Sequence, residues 1–134
     1  MREILFRGKR KDFDNEWLEG FYTLYNDNRG MKPAIITGTE KHCFIPLEII
    51  PETIGQYTGI TDKNGKKIFE GDIVKVYSAT GELDFKKAVI FWDELFSQWK
   101  ANKSALFGSN ICATYEIIGN IHDNPELLKG GKRE

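Results

Sequence analysis

Hydrophobic positions along this chain recur in short runs separated by turn-forming residues. In Ile73-Val74-Lys75-Val76-Tyr77, Val74 and Val76 fall on one side of an extended chain and Ile73, Lys75 and Tyr77 on the other. One face is wholly apolar and the other mixed, which is the pattern of a half-buried strand. Phe85 to Trp92 reads as a second strand, strongly apolar from Ala88 onward. Asp93-Glu94 turns the chain, and Phe96 to Ala101 returns with Ser97, Trp99 and Ala101 on one side. Ile111 to Ile121 is the last long strand, with a bulge at Gly119. At the other end, Glu3 to Arg7 is a strand, Lys9 to Asn15 a charged turn, and Glu16 to Asn26 a return strand rich in Trp17, Phe21, Tyr22, Leu24 and Tyr25. Together these predict an N-terminal hairpin or meander.

The punctuation between the runs is equally regular. Asn26-Asp27-Asn28-Arg29-Gly30 is a turn, because Asn, Asp and Gly tolerate positive φ. Ala34 to Thr37 and His42 to Ile45 are short strands. Pro46 and Pro51 bracket an edge strand or extended connection, since proline donates no amide hydrogen; a single helical turn starting at Pro46 is the alternative. Ile54 to Tyr57 is extended, and Thr58-Gly59 opens a bend. Asp62 to Lys66 is a hairpin connection in which Asn64-Gly65 suits a type I′ turn, with positive φ at both residues. Glu70-Gly71-Asp72 is a second sharp turn. Ser78 to Asp84 and Asn102 to Asn110 are loops. Asp123 to Leu128 is one helical turn, with Pro125 at its first position and Asp123 or Asn124 as cap. About eight short strands with almost no helical periodicity predict an all-β protein with short helical turns. The expected layout is a single domain over residues 1–128. An N-terminal hairpin (1–30) precedes a small antiparallel barrel or roll (about 52–122), and a disordered tail covers 129–134.

Length and composition narrow the classes. The 134 residues fit one domain, and 40% hydrophobic content is enough for a packed core. A net charge of -1 provides no global field toward nucleic acid or anionic lipid. No apolar run approaches the roughly 20 residues of a membrane helix, so no membrane association is expected. Glu3 and Arg7 interrupt any signal-peptide core. Cys43 and Cys112 lie far apart and read as reduced, buried thiols, so the expected location is the cytoplasm.

The segment Ile54-Gly55-Gln56-Tyr57-Thr58-Gly59-Ile60-Thr61-Asp62-Lys63-Asn64-Gly65-Lys66-Lys67-Ile68-Phe69-Glu70-Gly71-Asp72-Ile73-Val74-Lys75-Val76 resembles the YopX family of phage and prophage proteins. Arg2 to Arg7 and Glu116 to Leu128 carry the resemblance at the two ends, whereas Asp27–Lys41 and Ser78–Asn110 carry little of it. The resemblance implies a β-rich fold with an SH3-like barrel, encoded in bacterial mobile elements. The matching residues are turn and strand determinants, so it transfers no catalytic residue to this chain.

Candidate chemistry is sparse. His42, Cys43, Cys112 and His122 could in principle ligate zinc, but adjacent His42 and Cys43 point to opposite faces of a strand, and no paired ligand spacing exists. Asp62, Asn64 and Glu70 fall at calcium-loop positions, yet Lys67 stands where glycine is needed and Ile73 where glutamate is needed. Cys43 or Cys112 with His122 would be a nucleophile and base, but nothing in the spacing brings them together. Asp93 and Glu94 flank a turn and read as solvated. Phosphate-binding glycine motifs do not occur. Asn102-Lys103-Ser104 matches a glycosylation acceptor that a cytoplasmic bacterial chain would not use. No catalytic, cofactor or metal residue is therefore assigned.

Basic residues cluster at Arg7, Lys9, Arg10 and Lys11, at Lys63, Lys66 and Lys67, and at Lys86, Lys87, Lys100 and Lys103 near Trp92 and Trp99. Small barrels bind single strands with a basic groove and stacking aromatics, which makes Lys86, Lys87, Trp92, Trp99 and Lys100 the nucleic-acid candidates. Solvated lysines that blunt sheet edges are the simpler explanation of the same residues. The function expected is non-enzymatic binding, to an unidentified protein partner or to a second copy in a homo-oligomer, with nucleic-acid binding as the alternative.

Overall fold

The structure is a computed structural model and describes residues 3–12, 16–38, 45–78, 83–95, 97–101, 104–105 and 113–129. Strands take up 64% of these residues and helix 6%, so the all-β expectation holds. The chain divides into two compact units, Met1–Tyr57 and Thr58–Glu134.

The first unit holds β1 (Phe6–Lys9), β2 (Trp17–Asp27), β3 (Gly30–Ile36) and β4 (Pro46–Glu48). A 3-10 turn, Pro51–Thr53, leads to β5 (Gly55–Thr61), which runs on into the second unit. The strand order is β4-β3-β2-β1-β5, and every resolved pairing is antiparallel. The predicted hairpin is thus part of a longer meander. β4 is an edge strand, as its prolines require, and the helical turn begins at Pro51 rather than Pro46. Leu18, Ile35, Leu47 and Ile49 form the buried cluster, with Phe6 and Ile54 packed against it. Full burial of one such aliphatic side chain contributes about 1.5–3 kcal/mol. The Thr53 hydroxyl accepts the Lys9 amide at 2.8 Å and donates to the Ile50 carbonyl at 2.6 Å, which fastens the 3-10 turn to β1.

The second unit holds β6 (Lys67–Phe69), β7 (Asp72–Ser78), β8 (Leu83–Asp93), β9 (Gln98–Ala101), β10 (Ser104–Ala105), β11 (Ala113–Asn120) and α1 (Glu126–Lys129). β6 pairs with β5, and the other strands run in the order β10-β9-β8-β7-β11. Val74, Ala88, Ile90, Ala101, Tyr115 and Ile68 are buried together, with Ile60, Val76, Trp99 and Ile117 against them. Val74 and Val76 share that face as their alternation predicted. Ile73 is also fully buried, so the start of β7 is covered on both sides. The register of β11 on β7 shifts between Ile117 and Gly119, at the predicted bulge.

Three local expectations change. Gly65 has φ +86°, but Ser97 is the only non-glycine residue with positive φ among the described residues, so Asn64 does not supply the type I′ geometry. The Gly65 amide bonds back to the Asp62 carbonyl at 3.0 Å, and the Asp62 amide donates to the Lys66 carbonyl at 2.7 Å. These bonds describe a three-residue loop with a left-handed glycine in its last position. The Asp62 carboxylate selects it by accepting the amides of Asn64 at 2.8 Å and Lys66 at 2.9 Å. Thr58-Gly59 stays inside β5, held by the Thr58 hydroxyl donating to the Ile68 carbonyl at 2.9 Å. Finally, neither sheet closes into a barrel among the described residues. The Asp62 turn approaches β11 through single hydrogen bonds, Lys63 amide to Tyr115 carbonyl at 2.8 Å and Ile117 amide to Asp62 Oδ2 at 3.1 Å, with no ladder between them. The SH3-like expectation is therefore supported only loosely. Residues 41–44, 79–82 and 106–112, and the tail from 130, lie outside the described residues, as do the expectations made for them.

Gly65→Val places a β-branched residue at positive φ and is expected to lower unfolding stability by about 1–3 kcal/mol. Asp62→Ala removes the acceptor of three amides and is expected to cost about 3 kcal/mol. Urea unfolding monitored by Trp fluorescence measures both, and wild-type midpoints would contradict them.

Candidate functional site

The residues selected from sequence as a nucleic-acid surface lie mostly on β8 and β9. Trp92 opposes Trp99, and their rings meet edge-to-face with centroids 5.0 Å apart and planes at 71°. Trp99 packs on the core of the second unit, and Trp92 stands at its rim, partly exposed. Alternation along the strands puts Lys87 and Lys100 on the opposite face. Lys100 opposes Phe91 and its ammonium lies 2.7 Å from Asp93 Oδ2, both groups being largely buried. Lys87 opposes Lys75, and its ammonium donates to the Leu127 carbonyl at 3.2 Å. Lys86 pairs with Val76 in register, and its side chain lies outside what is described. The structure therefore separates Lys87 and Lys100 from the two indoles they were grouped with.

The other cationic clusters have local partners. Arg7 and Lys9 sit over the Trp17 ring, at 4.9 and 5.9 Å from its centroid. Arg10 pairs with Glu16 at 3.1 Å, and Lys11 with Glu48 at 3.2 Å. Lys63 lies over the Tyr77 ring at 4.4 Å. The Tyr77 hydroxyl donates to Glu116 Oε1 at 2.7 Å, and that bond to a carboxylate holds the phenol above its usual ionisation range.

His42, Cys43 and Cys112 lie outside the described residues. The His122 amide donates to Asn120 Oδ1 at 2.9 Å within the turn after β11. No cluster of three or more His, Cys, Asp or Glu suited to a metal occurs among the described residues. Asp62, the would-be calcium ligand, spends both carboxylate oxygens on backbone amides. Asp93 Oδ1 accepts the Leu95 amide at 2.9 Å while Oδ2 meets Lys100, so this acid shapes the β8–β9 turn.

A different surface stands out at the far end of the β2–β3 hairpin. β1 pairs with β2 only as far as Gly20, and β4 pairs with β3 only from Ala34 onward. Tyr22 lies opposite Ile35, which β4 still flanks, whereas Leu24 opposite Pro33 and Asn26 opposite Met31 lie beyond both ladders. Residues directly opposed share a face, so Tyr22, Leu24, Pro33 and Met31 continue the face that carries buried Leu18 and Ile35. There Leu24 is 52% exposed and Met31 60%, while Tyr22, 39% exposed, keeps its ring against Phe6 with centroids 5.9 Å apart. Phe21, on the other face, is 64% exposed. Sequence reasoning named Phe21, Tyr22 and Leu24 only as residues of a return strand. The available signal was that Phe21-Tyr22-Thr23-Leu24-Tyr25 lacks the polar alternation of a strand with one wet face.

Fold and surface together define a two-sheet antiparallel β protein whose recognisable sequence block builds turns, and whose β2–β3 hairpin carries several exposed apolar side chains. The chain belongs to the YopX family: the family profile, described as YopX protein, matches residues 5–129. A crystal structure of protein EF1440 from Enterococcus faecalis is similar, at 25% identity over 96% of this chain and 100% of that one, with a TM-score of 0.49. No curated protein matches the chain. No helix among the described residues is long and apolar enough to cross a membrane.

The Tyr77–Glu116 bond predicts a pH dependence. Because the Tyr77 pKa is raised above the ordinary tyrosine value, the bond is intact below that value and is lost as pH rises through the raised one. Spectrophotometric titration near 295 nm is expected to show a late-ionising component, from Tyr77, that moves to lower pH in Glu116→Gln.

Proposed function

We propose that this protein acts without catalysis, by associating with protein through the distal β2–β3 hairpin. The observation that carries this is the exposed apolar strip of Tyr22, Leu24 and Met31, continuous with the core face of the same sheet. Apolar surface of this kind, flanked here by Asn26, Asp27, Asn28 and Arg29, marks interaction sites. A two-stranded ribbon is marginal in water by itself, so a partner that covers it also stabilises it. The role fits an accessory protein encoded in a mobile element and working in the host cytoplasm. Nucleic-acid binding is the less favoured reading, because Lys87 and Lys100 lie across the sheet from Trp92 and Trp99 and are engaged by Leu127 and Asp93.

Sedimentation velocity of the purified chain, with parallel titrations against single-stranded and duplex DNA, tests the proposal. Expected are concentration-dependent association without DNA, its loss in the Tyr22→Ser/Met31→Ser variant with the circular dichroism unchanged, and no DNA affinity. Tight DNA binding that weakens steeply with salt, the mark of phosphate contacts, would replace this function with the alternative.

A further inference from the structure

The backbone of the arm narrows the partner further, given that it acts by protein association. In an extended strand the N–H and C=O of one residue point to the same edge. The Pro33 carbonyl accepts the Ile49 amide at 3.2 Å, so Pro33 faces away from β2. Leu24, directly opposite Pro33, must then present its own N–H and C=O away from β3. Tyr22 and Asn26, two positions either side, do the same. No strand among the described residues pairs with that edge of β2 beyond Gly20.

The two edges of the arm are protected unequally. On β3, Ile49 takes the Pro33 carbonyl, Pro33 has no N–H to offer, and Lys32 adds a charge. Lysine and proline are the usual means of blunting an edge. On β2, the segment Phe21-Tyr22-Thr23-Leu24-Tyr25-Asn26 carries neither charge nor proline, and its residues favour extended backbone. The one local competitor for its open groups is the Thr23 hydroxyl, which donates to the Leu24 carbonyl at a long 3.3 Å.

We infer that the open edge of β2 pairs antiparallel with the same edge of a second copy of this chain, about a twofold axis at Leu24. The register follows from which groups are open. Leu24 exchanges both hydrogen bonds with Leu24 of the partner subunit, and Tyr22 does so with Asn26 of the partner subunit. Thr23 then falls opposite Tyr25 of the partner subunit, and the pairing ends at Tyr22 because Leu5, continuing from the Phe6 that pairs with Gly20, lies beside Phe21, so no like charges meet. The result is one sheet continuing across the axis, with the strips of Tyr22, Leu24, Pro33 and Met31 from both copies side by side. An interface of this isologous kind closes on itself and stops at two copies.

Light scattering after size exclusion is expected to give twice the 15.4 kDa chain mass for the wild type. Leu24→Pro removes the central open N–H, which β3 does not use, and is expected to return the mass to one chain with the circular dichroism unchanged. In a Cys43→Ser/Cys112→Ser background, Leu24→Cys is expected to cross-link on oxidation, because a hydrogen-bonded antiparallel pair sets its Cα atoms about 5.5 Å apart, within the disulfide range of roughly 4.4–6.8 Å. The cross-link decides the matter even if the proline variant fails to fold. A single-chain mass across the micromolar range overturns the dimer. A dimer that survives Leu24→Pro and resists cross-linking, yet dissociates in Tyr22→Ser/Met31→Ser, overturns the edge pairing while leaving association through the arm in place.

Discussion

The second unit depends on one buried carboxylate. Asp62 is 5% exposed, and its two oxygens accept three backbone amides, from Asn64, Lys66 and Ile117. The first two bonds shape the β5–β6 turn. The third reaches β11, 55 positions along the chain. A buried acid is costly unless its acceptor sites are filled, and charge-assisted bonds to amides are stronger than neutral ones. The same atoms therefore shape a local turn and make a long-range contact, so misplacing either strand leaves amides unpaired. Gly65 completes the loop with a left-handed conformation that a side chain would strain.

The Glu70-Gly71-Asp72 turn works in a similar way. Asp72 is almost fully buried and accepts the Phe69 amide at 2.8 Å. Gly71, at φ +93°, donates to the Ile90 carbonyl and accepts from the Ile121 amide, both at 2.9 Å. The block with the strongest family resemblance is thus a set of joints. Its acids and glycines hold β5, β6, β7, β8 and the end of β11 in register. Within it, the Asp62 and Asp72 carboxylates and the Thr58 hydroxyl are committed to backbone groups.

The β2–β3 arm is under fewer such constraints. The β2–β3 arm extends past the strands that flank its base, so its apolar side chains lose their cover while its backbone keeps only half its hydrogen bonds. The core of the first unit stops at Leu18, Ile35, Leu47 and Ile49. Past that point the same alternation that buries a face in the body of the sheet delivers one to solvent.

Period-2 alternation and turn chemistry determined the strand content, the antiparallel pairings, the edge position of the Pro46 segment and the bulge near Gly119, because each is written in residues close together in sequence. Other features depended on distant partners. Single bonds from the Asp62 turn rather than a ladder to β11 left the sheets open among the described residues. Alternation along β8 and β9, already legible in the sequence, divides Lys87 and Lys100 from Trp92 and Trp99, whereas the contacts of those lysines with Leu127 and Asp93 needed the structure. The length of β1 and β4 relative to β2 and β3 decided which apolar residues are buried. That is a property of neighbouring strands, and no window of sequence around Leu24 contains it.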